Sequence, residues 1–431
     1  MTKTIQRAIR KSGQRATTKS IQPLILKTYK AAADLRRASD RQIQAALKTL
    51  ADTLEAQRAV LLRANAKDLK RQDPTNPRND RLLLTDDRIK SIAKGIRQVG
   101  RLPDPSGKLL EKRTLYNGLM VEKRTVPLGV VGAIYESRPN VTFDIAALCL
   151  RSRNACLLKG SQDAADTNKA AIALIRTALK DNGIDPDAVT LLPPGRESVP
   201  ELLEAARWVD VLIPRGSDAL IRYVRANSLV PVIETGAGVC HIYVEKEADL
   251  DKAVNIVVNA KVSRPSVCNA MDTLLVDQAI APEFLHRLQE PFRNHKVEIY
   301  AGPSAARWLK GYPFLKKAKP EDFGREFLSL KCAVKVVKDI DKALDHLQRY
   351  STRHSESIVS ENRQQCERWL AEVDAAAVYT NASTRFTDGE QLGLGAEIGI
   401  STQKLHARGP FALEKLVTEK WLIRGNGQVR P

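Results

Sequence analysis

From Val126 to Lys159 the chain reads VPLGVVGAIYESRPNVTFDIAALCLRSRNACLLK. Val126–Glu136 is apolar, rich in Val and Ile, and shows little alternation, as a strand buried on both faces requires. A helical segment, about Thr142–Arg153, follows it, and Ala155–Lys159 is a second short apolar run. The same beat continues with a helix at Ala164–Lys180, a strand at Val189–Pro193 and a helix at Ser198–Arg207. A strand at Val209–Ile213, a helix at Asp218–Asn227 and a strand at Val230–Glu234 complete the series. This alternation predicts a doubly wound parallel sheet. A second series runs from His241 to about Val373, with strands near Thr273–Val276, Val297–Tyr300, Lys331–Val337 and Glu356–Ser360, and predicts a second α/β domain. Upstream, Asp40–Asn65 is amphipathic, with Ile43, Leu47, Leu50 and Leu54 at helical spacing. A second helix covers about Leu83–Val99, and Leu115–Thr125 reads as a hairpin turning at Asn117-Gly118.

The 431 residues are 43% hydrophobic and 28% charged, which excludes wholesale disorder. No apolar run approaches the roughly 18 residues of a membrane helix, so no membrane partner is expected. The net charge of +19 admits a nucleic acid, a membrane surface or an anionic substrate as partner. Its distribution decides among them. The first 33 residues hold eight Lys and Arg and no acid, so much of the excess sits in an N-terminal arm. With aromatics at 5% and no binding motif, nucleic acid is disfavoured and a small anionic substrate is expected. Residues 1–30 read as a flexible basic extension on a cytoplasmic protein, or alternatively as an organellar transit peptide. Six cysteines are scattered without a CxxC and six histidines without ligand spacing, so a reduced enzyme with no metal is expected.

There is no GxGxxG after the first strand and no P-loop. Lys261–Met271 (KVSRPSVCNAM) is more informative. Cys268 lies there among small and polar residues near Lys261 and Arg264, and neighbouring cations favour the nucleophilic thiolate. Cys149, Cys156, Cys240 and Cys332 sit in core-like surroundings instead. Four predicted strands end in polar residues: Glu136–Asn140, Lys159-Gly160-Ser161, Arg215-Gly216-Ser217, and Glu234 before a Gly-rich turn. Ligands of parallel sheets gather at such ends. Together they predict a rim for an anionic dinucleotide and an anionic substrate.

These segments carry a resemblance. Arg138–Thr142 (RPNVT), Ile213–Asp218 (IPRGSD), Val337–Ile358 (VKDIDKALDHLQRYSTRHSESI) and Gly393–Pro410 (GLGAEIGISTQKLHARGP) resemble the aldehyde dehydrogenase superfamily, and more closely its gamma-glutamyl phosphate reductase branch. The similarity runs from about Ala31 to Pro431, leaving only the arm outside. It implies an aldehyde dehydrogenase-like fold, with a cofactor-binding domain at 31–235, including an oligomerisation hairpin at about 112–126. It also implies a catalytic domain at 236–374, and a return to the cofactor domain and an oligomerisation tail at 375–431.

Residue by residue, Cys268 matches the nucleophile, and Asn140 matches the asparagine of the oxyanion hole. Lys159 matches the lysine at the cofactor's adenosine ribose or its phosphate, Ser161 is a further cofactor-binding candidate, Gly216 and Ser217 match the pyrophosphate turn, and Glu326 matches the contact to the nicotinamide ribose. Glu234, 34 residues before Cys268, matches the base that activates water in hydrolytic members. A reductive enzyme resolves its thioester with hydride, so two roles remain open for Glu234. Arg138, Lys261 and Arg264 are the candidates for substrate phosphate. The implied reaction is NADPH-dependent reduction of L-glutamyl 5-phosphate to L-glutamate 5-semialdehyde, the second step of proline biosynthesis, in a homo-oligomer that a gamma-glutamyl kinase can feed by channelling. Gln162, where many relatives carry Glu, favours NADP(H). Two departures stand out: Gly409-Pro410-Phe411-Ala412 replaces the usual Gly-Pro-Met-Gly, and Gln348 replaces an Asn. The rivals are a hydrolytic aldehyde dehydrogenase and a nucleic-acid-binding protein.

Overall fold

The computed structural model describes residues 20–74, 79–136 and 138–430. The chain forms two compact units, Met1–Val232 with Leu416–Pro431, and Ile233–Lys415.

The first unit opens with α1 (Gln22–Arg37), α2 (Asp40–Ala56), α3 (Arg58–Lys70) and α4 (Asp86–Arg101). Ser39 caps α2 in a reciprocal box with Gln42, and Asp40 is the first helical residue. Residues 20–30 are not a flexible extension. Ile21 and Ile25 are buried, and Glu201 accepts from the Ile21 and Gln22 N–H groups at 3.0 Å each. The apolar Ile-Leu spacing of Ile21–Leu26 has enough surface to dock, and the rest of the expected arm, residues 1–19, lies outside the described residues.

β1 (Leu109–Thr114) and β2 (Met120–Pro127) form the hairpin and pair with β16 (Val417–Arg424) in a three-stranded antiparallel sheet. The expected strand Val126–Glu136 is divided. β2 ends at Pro127, and β3 (Val130–Tyr135) starts in a different sheet. Gly129 makes the turn at φ +132, and a Cβ there would stand 2.1 Å from the Asp210 carboxylate, which accepts from the Val130 N–H. α5 (Pro139–Arg151) begins earlier than expected, because Pro139 suits a first helical turn. β4 (Ala155–Lys159), α6 (Ala165–Asp181), β5 (Val189–Leu191), β6 (Val211–Arg215) and α7 (Asp218–Asn227) follow. The parallel sheet has the order β5-β4-β3-β6. The expected strand at Val230–Glu234 shrinks to a single bridge between Leu212 and Val232, because Pro231 has no N–H with which to extend a ladder.

The second unit holds β7 (Cys240–Val244), α8 (Leu250–Val262), β8 (Met271–Asp277), α9 (Ala281–Asn294), β9 (Glu298–Ala301) and β10 (Leu315–Lys317). It continues with β11 (Lys331–Val337), α10 (Ile340–Tyr350), β12 (Ser355–Val359), α11 (Arg363–Glu372) and β13 (Ala377–Thr380). Seven parallel strands run in the order β10-β9-β11-β8-β7-β12-β13. Alternate residues feed opposite faces. Ile242, Val244, Leu274 and Val276 pack with Phe284 and Phe292 of α9, while Tyr243, Leu275 and Ile358 pack with Trp369 of α11. A sheet covered on both sides explains why β7, β8 and β12 are buried at every position. The chain returns to the first unit at Leu416 and not at 375: β13 extends the second sheet, and β14 (Glu397–Ser401) pairs with β15 (Gly409–Ala412) in the same unit.

Candidate active site

Cys268 lies in the loop between α8 and β8 and is the one half-buried cysteine, whereas Cys149, Cys156, Cys240, Cys332 and Cys366 are buried. The loop is held from beneath. The Cys240 thiol donates to the Cys268 carbonyl at 3.2 Å, and burial drives the Cys240 pKa up, so this cysteine stays a neutral donor. His354 Nδ1 sits 3.6 Å from the Cys240 sulfur and 2.8 Å from Ser355 Oγ, with burial pushing its pKa down to about 4. Gly238 completes the seat. A Cβ there would stand 1.7 Å from the Cys268 carbonyl oxygen, so only glycine lets the nucleophile's backbone lie so close. The Gly238 N–H donates to Glu326 Oε1 at 3.1 Å, which brings Glu326 to the same place as Cys268.

Lys261 is not beside the nucleophile as an open cation. It is fully buried, 3.4 Å from Asp272 Oδ1 and 3.3 Å from the Ser329 carbonyl. Asp272 in turn accepts from the Phe327 N–H at 3.1 Å, so the pair braces the Glu326–Phe327 segment from within. Desolvation raises the Asp272 carboxyl to about 6 against the pull of Lys261. Lys261 falls on the inward face of α8, a placement that its nearness to Cys268 in sequence does not reveal. Arg264 is exposed on the loop. Glu234 is half-buried, its N–H donating to Gln403 Oε1 at 2.8 Å, with Gln403 Nε2 3.5 Å from its carboxylate.

Arg385 is a further cation at this loop, one that no local sequence pattern marks. It stands in the turn Thr384–Phe386 and is half-buried. Its Nε donates to Ser263 Oγ at 3.1 Å and its Nη1 donates to Asn269 Oδ1, both on the nucleophile loop. In the sequence it is only a lone arginine among hydroxyl residues in Asn381–Gly389 (NASTRFTDG).

In the first unit the other candidates gather at the carboxyl ends of β3, β4 and β6. Asn140 is the second residue of α5 and is exposed; its Nδ2 donates to Asp144 Oδ2 at 3.0 Å, one helical turn on. Burial raises the Asp144 carboxyl to about 6, opposed by that hydrogen bond and by Arg215. Arg138 is exposed just before α5. Lys159 ends β4, 4% exposed, with Nζ 3.0 Å from the carbonyls of both Gly160 and Pro194. Burial lowers its pKa to about 8, with Arg196 pushing the same way and Glu197 opposing. Ser161, half-exposed, follows at the next turn. At the end of β6, the Ser217 N–H and hydroxyl both donate to Glu136, at 2.8 and 3.1 Å. A Cβ on Gly216 would lie 2.6 Å from the same carboxylate. This turn therefore holds an acidic side chain of its own, which the sequence reading did not foresee.

A cation ending one strand with Gly160 after it, and the Gly216-Ser217 turn at the end of another, fit the phosphates and riboses of a dinucleotide.

The aldehyde dehydrogenase family model matches residues 4–304, so the similarity begins well before Ala31 and includes most of the basic arm. The gamma-glutamyl phosphate reductase of Pelodictyon phaeoclathratiforme is 51% identical over 410 residues, covering 94% of this chain and 98% of the relative. That of Bacteroides fragilis is 50% identical over 394 residues, covering 91% and 95%. The crystal structure of the gamma-glutamyl phosphate reductase of Thermotoga maritima is 42% identical, with a TM-score of 0.91, covering 96% of this chain and 100% of that one. Half-identity over nearly the full length of both partners places this chain in the aldehyde dehydrogenase family and, within it, among the gamma-glutamyl phosphate reductases.

Proposed function

We propose that this enzyme reduces L-glutamyl 5-phosphate to L-glutamate 5-semialdehyde with release of phosphate, using NADPH, as the second step of proline biosynthesis. The observation that carries the reading is the half-buried Cys268, seated by Cys240 and Gly238, in a chain half-identical to reductases of that name.

The Cys268 sulfur attacks the acyl carbon, a C–S bond forms, and the carbon–oxygen bond to phosphate breaks with its electron pair leaving on phosphate. Cys240 and Gly238 hold the Cys268 carbonyl in place; by family resemblance, the Cys268 N–H and the Asn140 side-chain amide are the donors to the oxyanion. Asp144 takes one N–H of that amide and leaves the other free. When bound, a nicotinamide cofactor would supply the hydride that reduces the thioester. Glu326 would hold its nicotinamide ribose, Lys159 its adenosine ribose or the phosphate there, and Ser161 would be a further cofactor contact. Collapse of the hemithioacetal frees the semialdehyde and returns the thiolate to Cys268.

Lys159, with Gln162 in place of an acid, favours the 2′-phosphate of NADP(H). The enzyme works in the cytoplasm as a homo-oligomer, joined through the three-stranded sheet, whose Leu109, Leu110, Trp421 and Ile423 are 43–61% exposed. A gamma-glutamyl kinase is the natural source of its short-lived substrate.

The test is the reverse reaction. Oxidation of glutamate semialdehyde by NADP should depend on added phosphate and saturate with it in a non-phosphate buffer. Brisk phosphate-independent oxidation would instead make the enzyme hydrolytic, with Glu234 as its base.

A further inference from the structure

Arg385 packs on the nucleophile loop from a distant part of the chain. Its guanidinium spans from Ser263 at one end of the loop to Asn269, the residue after Cys268. The backbone is clamped at the same point. Asn269 Nδ2 donates to the carbonyls of Arg385 and Thr387 at 3.3 and 2.9 Å, and Thr384 Oγ1 donates to the Asn269 carbonyl at 2.8 Å.

Arg264 stands on the same loop, close enough for its charge to act on Arg385. Burial first, and Arg264 second, lower the Arg385 pKa; Asp388, Cys268 and Cys240 pull the other way. Among the described residues, no carboxylate lies within ion-pair distance of either guanidinium. Some other arginines of this unit are paired, Arg287 with Asp251 and Glu283, Arg368 with Asp341 and Glu372, Arg408 with Asp374. Two neighbouring cations, one half-buried and neither in an ion pair among the described residues, suit an arriving anion.

We propose that Arg385, together with Arg264, forms the phosphate site beside Cys268, holding the phosphoryl group as it leaves and inorganic phosphate in the reverse reaction. The inference rests on the acyl-phosphate reading and adds the residues that serve it. Position selects phosphate over the substrate's carboxylate. The phosphate oxygen is bonded to the carbon that Cys268 attacks, whereas the α-carboxylate lies beyond the methylenes of the glutamyl chain. As the C–O bond breaks, its electron pair moves to phosphate, and a guanidinium fork meets that charge with two parallel N–H donors. Arg385 takes the place the sequence reading gave to Lys261.

The experiment compares the wild type with Arg385→Gln, Arg385→Lys and Arg264→Gln. NADPH formation from glutamate semialdehyde is followed across a phosphate titration, then across a semialdehyde titration at saturating phosphate. Separately, inorganic phosphate is tested for protection of Cys268 against iodoacetamide, which needs no turnover. Arg385→Gln should raise the KM for phosphate by at least about tenfold and abolish the protection, with the KM for semialdehyde changed less than about twofold. Arg264→Gln should shift both in the same direction by less, and Arg385→Lys should retain part of the protection. A raised KM for semialdehyde with unchanged phosphate KM and protection would overturn the site and give Arg385 to the carboxylate. Should Arg385→Gln lose its fold, Arg264→Gln decides: unchanged phosphate KM and protection overturn the proposal. If wild-type oxidation ignores phosphate, the acyl-phosphate reading itself fails, whatever the variants do.

Discussion

Two buried lysines, one in each unit, look alike in sequence and act differently in the structure. Lys261 is enclosed and meets the Asp272 carboxylate, which ties α8 to the Glu326–Phe327 segment. Lys159 is almost as buried, yet meets only two carbonyl oxygens, and among the described residues no carboxylate lies within ion-pair distance of it. A lysine that has found its acid is a strut. A lysine held at a strand end by carbonyls alone keeps its charge available for a ligand.

The largest expected effect tests the strut. Lys261→Met leaves Asp272 buried and unpaired and should cost about 3–5 kcal/mol of stability, read by urea denaturation. Adding Asp272→Leu should recover much of that loss, because an apolar pair needs no compensation. A Lys261→Met protein of wild-type stability but with a raised phosphate KM would reverse the comparison and return Lys261 to the site.

Lys159→Met should be mild for stability and severe for cofactor choice. The KM for NADPH should rise by about tenfold, and that for NADH much less. Equal effects on both cofactors would show that Lys159 does not face a 2′-phosphate.

The same lysine sets a pH dependence. Burial places its pKa at about 8, so Lys159 is charged below that pH and loses its charge above it. The NADPH preference over NADH should weaken severalfold from pH 7 to 9 in the wild type. It should stay flat in Lys159→Met, measured as the ratio of kcat/KM values.

The smallest effect concerns Asp144, whose carboxyl burial raises to about 6. Above that pH it is ionised and accepts from Asn140; below it the proton weakens this hold. Turnover should drop by a few-fold toward pH 5, and Asp144→Asn should remove the step while lowering the plateau.

Much of this was legible in the sequence because buried parallel strands announce themselves. β3, β4 and β6 are short, mostly apolar runs, and the polar residues Asn140, Lys159 and Ser217 stand at or just after their ends, where strands give way to helices. What was not legible depends on single backbone groups or on chain-distant packing. Gly129 cuts one apolar run into strands of two sheets, and Pro231 reduces an expected strand to a bridge. The surroundings of Cys268 are incompletely legible for a related reason. Nearness in sequence pointed to Lys261, but the helical phase of α8 turns it inward, and Arg385 reaches the loop through contacts that no local pattern encodes. The arm was misjudged because its basic composition hid the apolar Ile21 and Ile25 that dock α1.

The central claim is a glutamyl thioester on Cys268 that phosphate resolves. Mixing the enzyme with glutamate semialdehyde and NADP in phosphate-free buffer, then measuring intact protein and peptide masses, tests it most directly. A glutamyl adduct should be found on the peptide carrying Cys268, vanish on addition of phosphate, and never form in Cys268→Ala, whose NADPH binding should persist. An adduct elsewhere, none at all, or one discharged by water as fast as by phosphate would contradict the account.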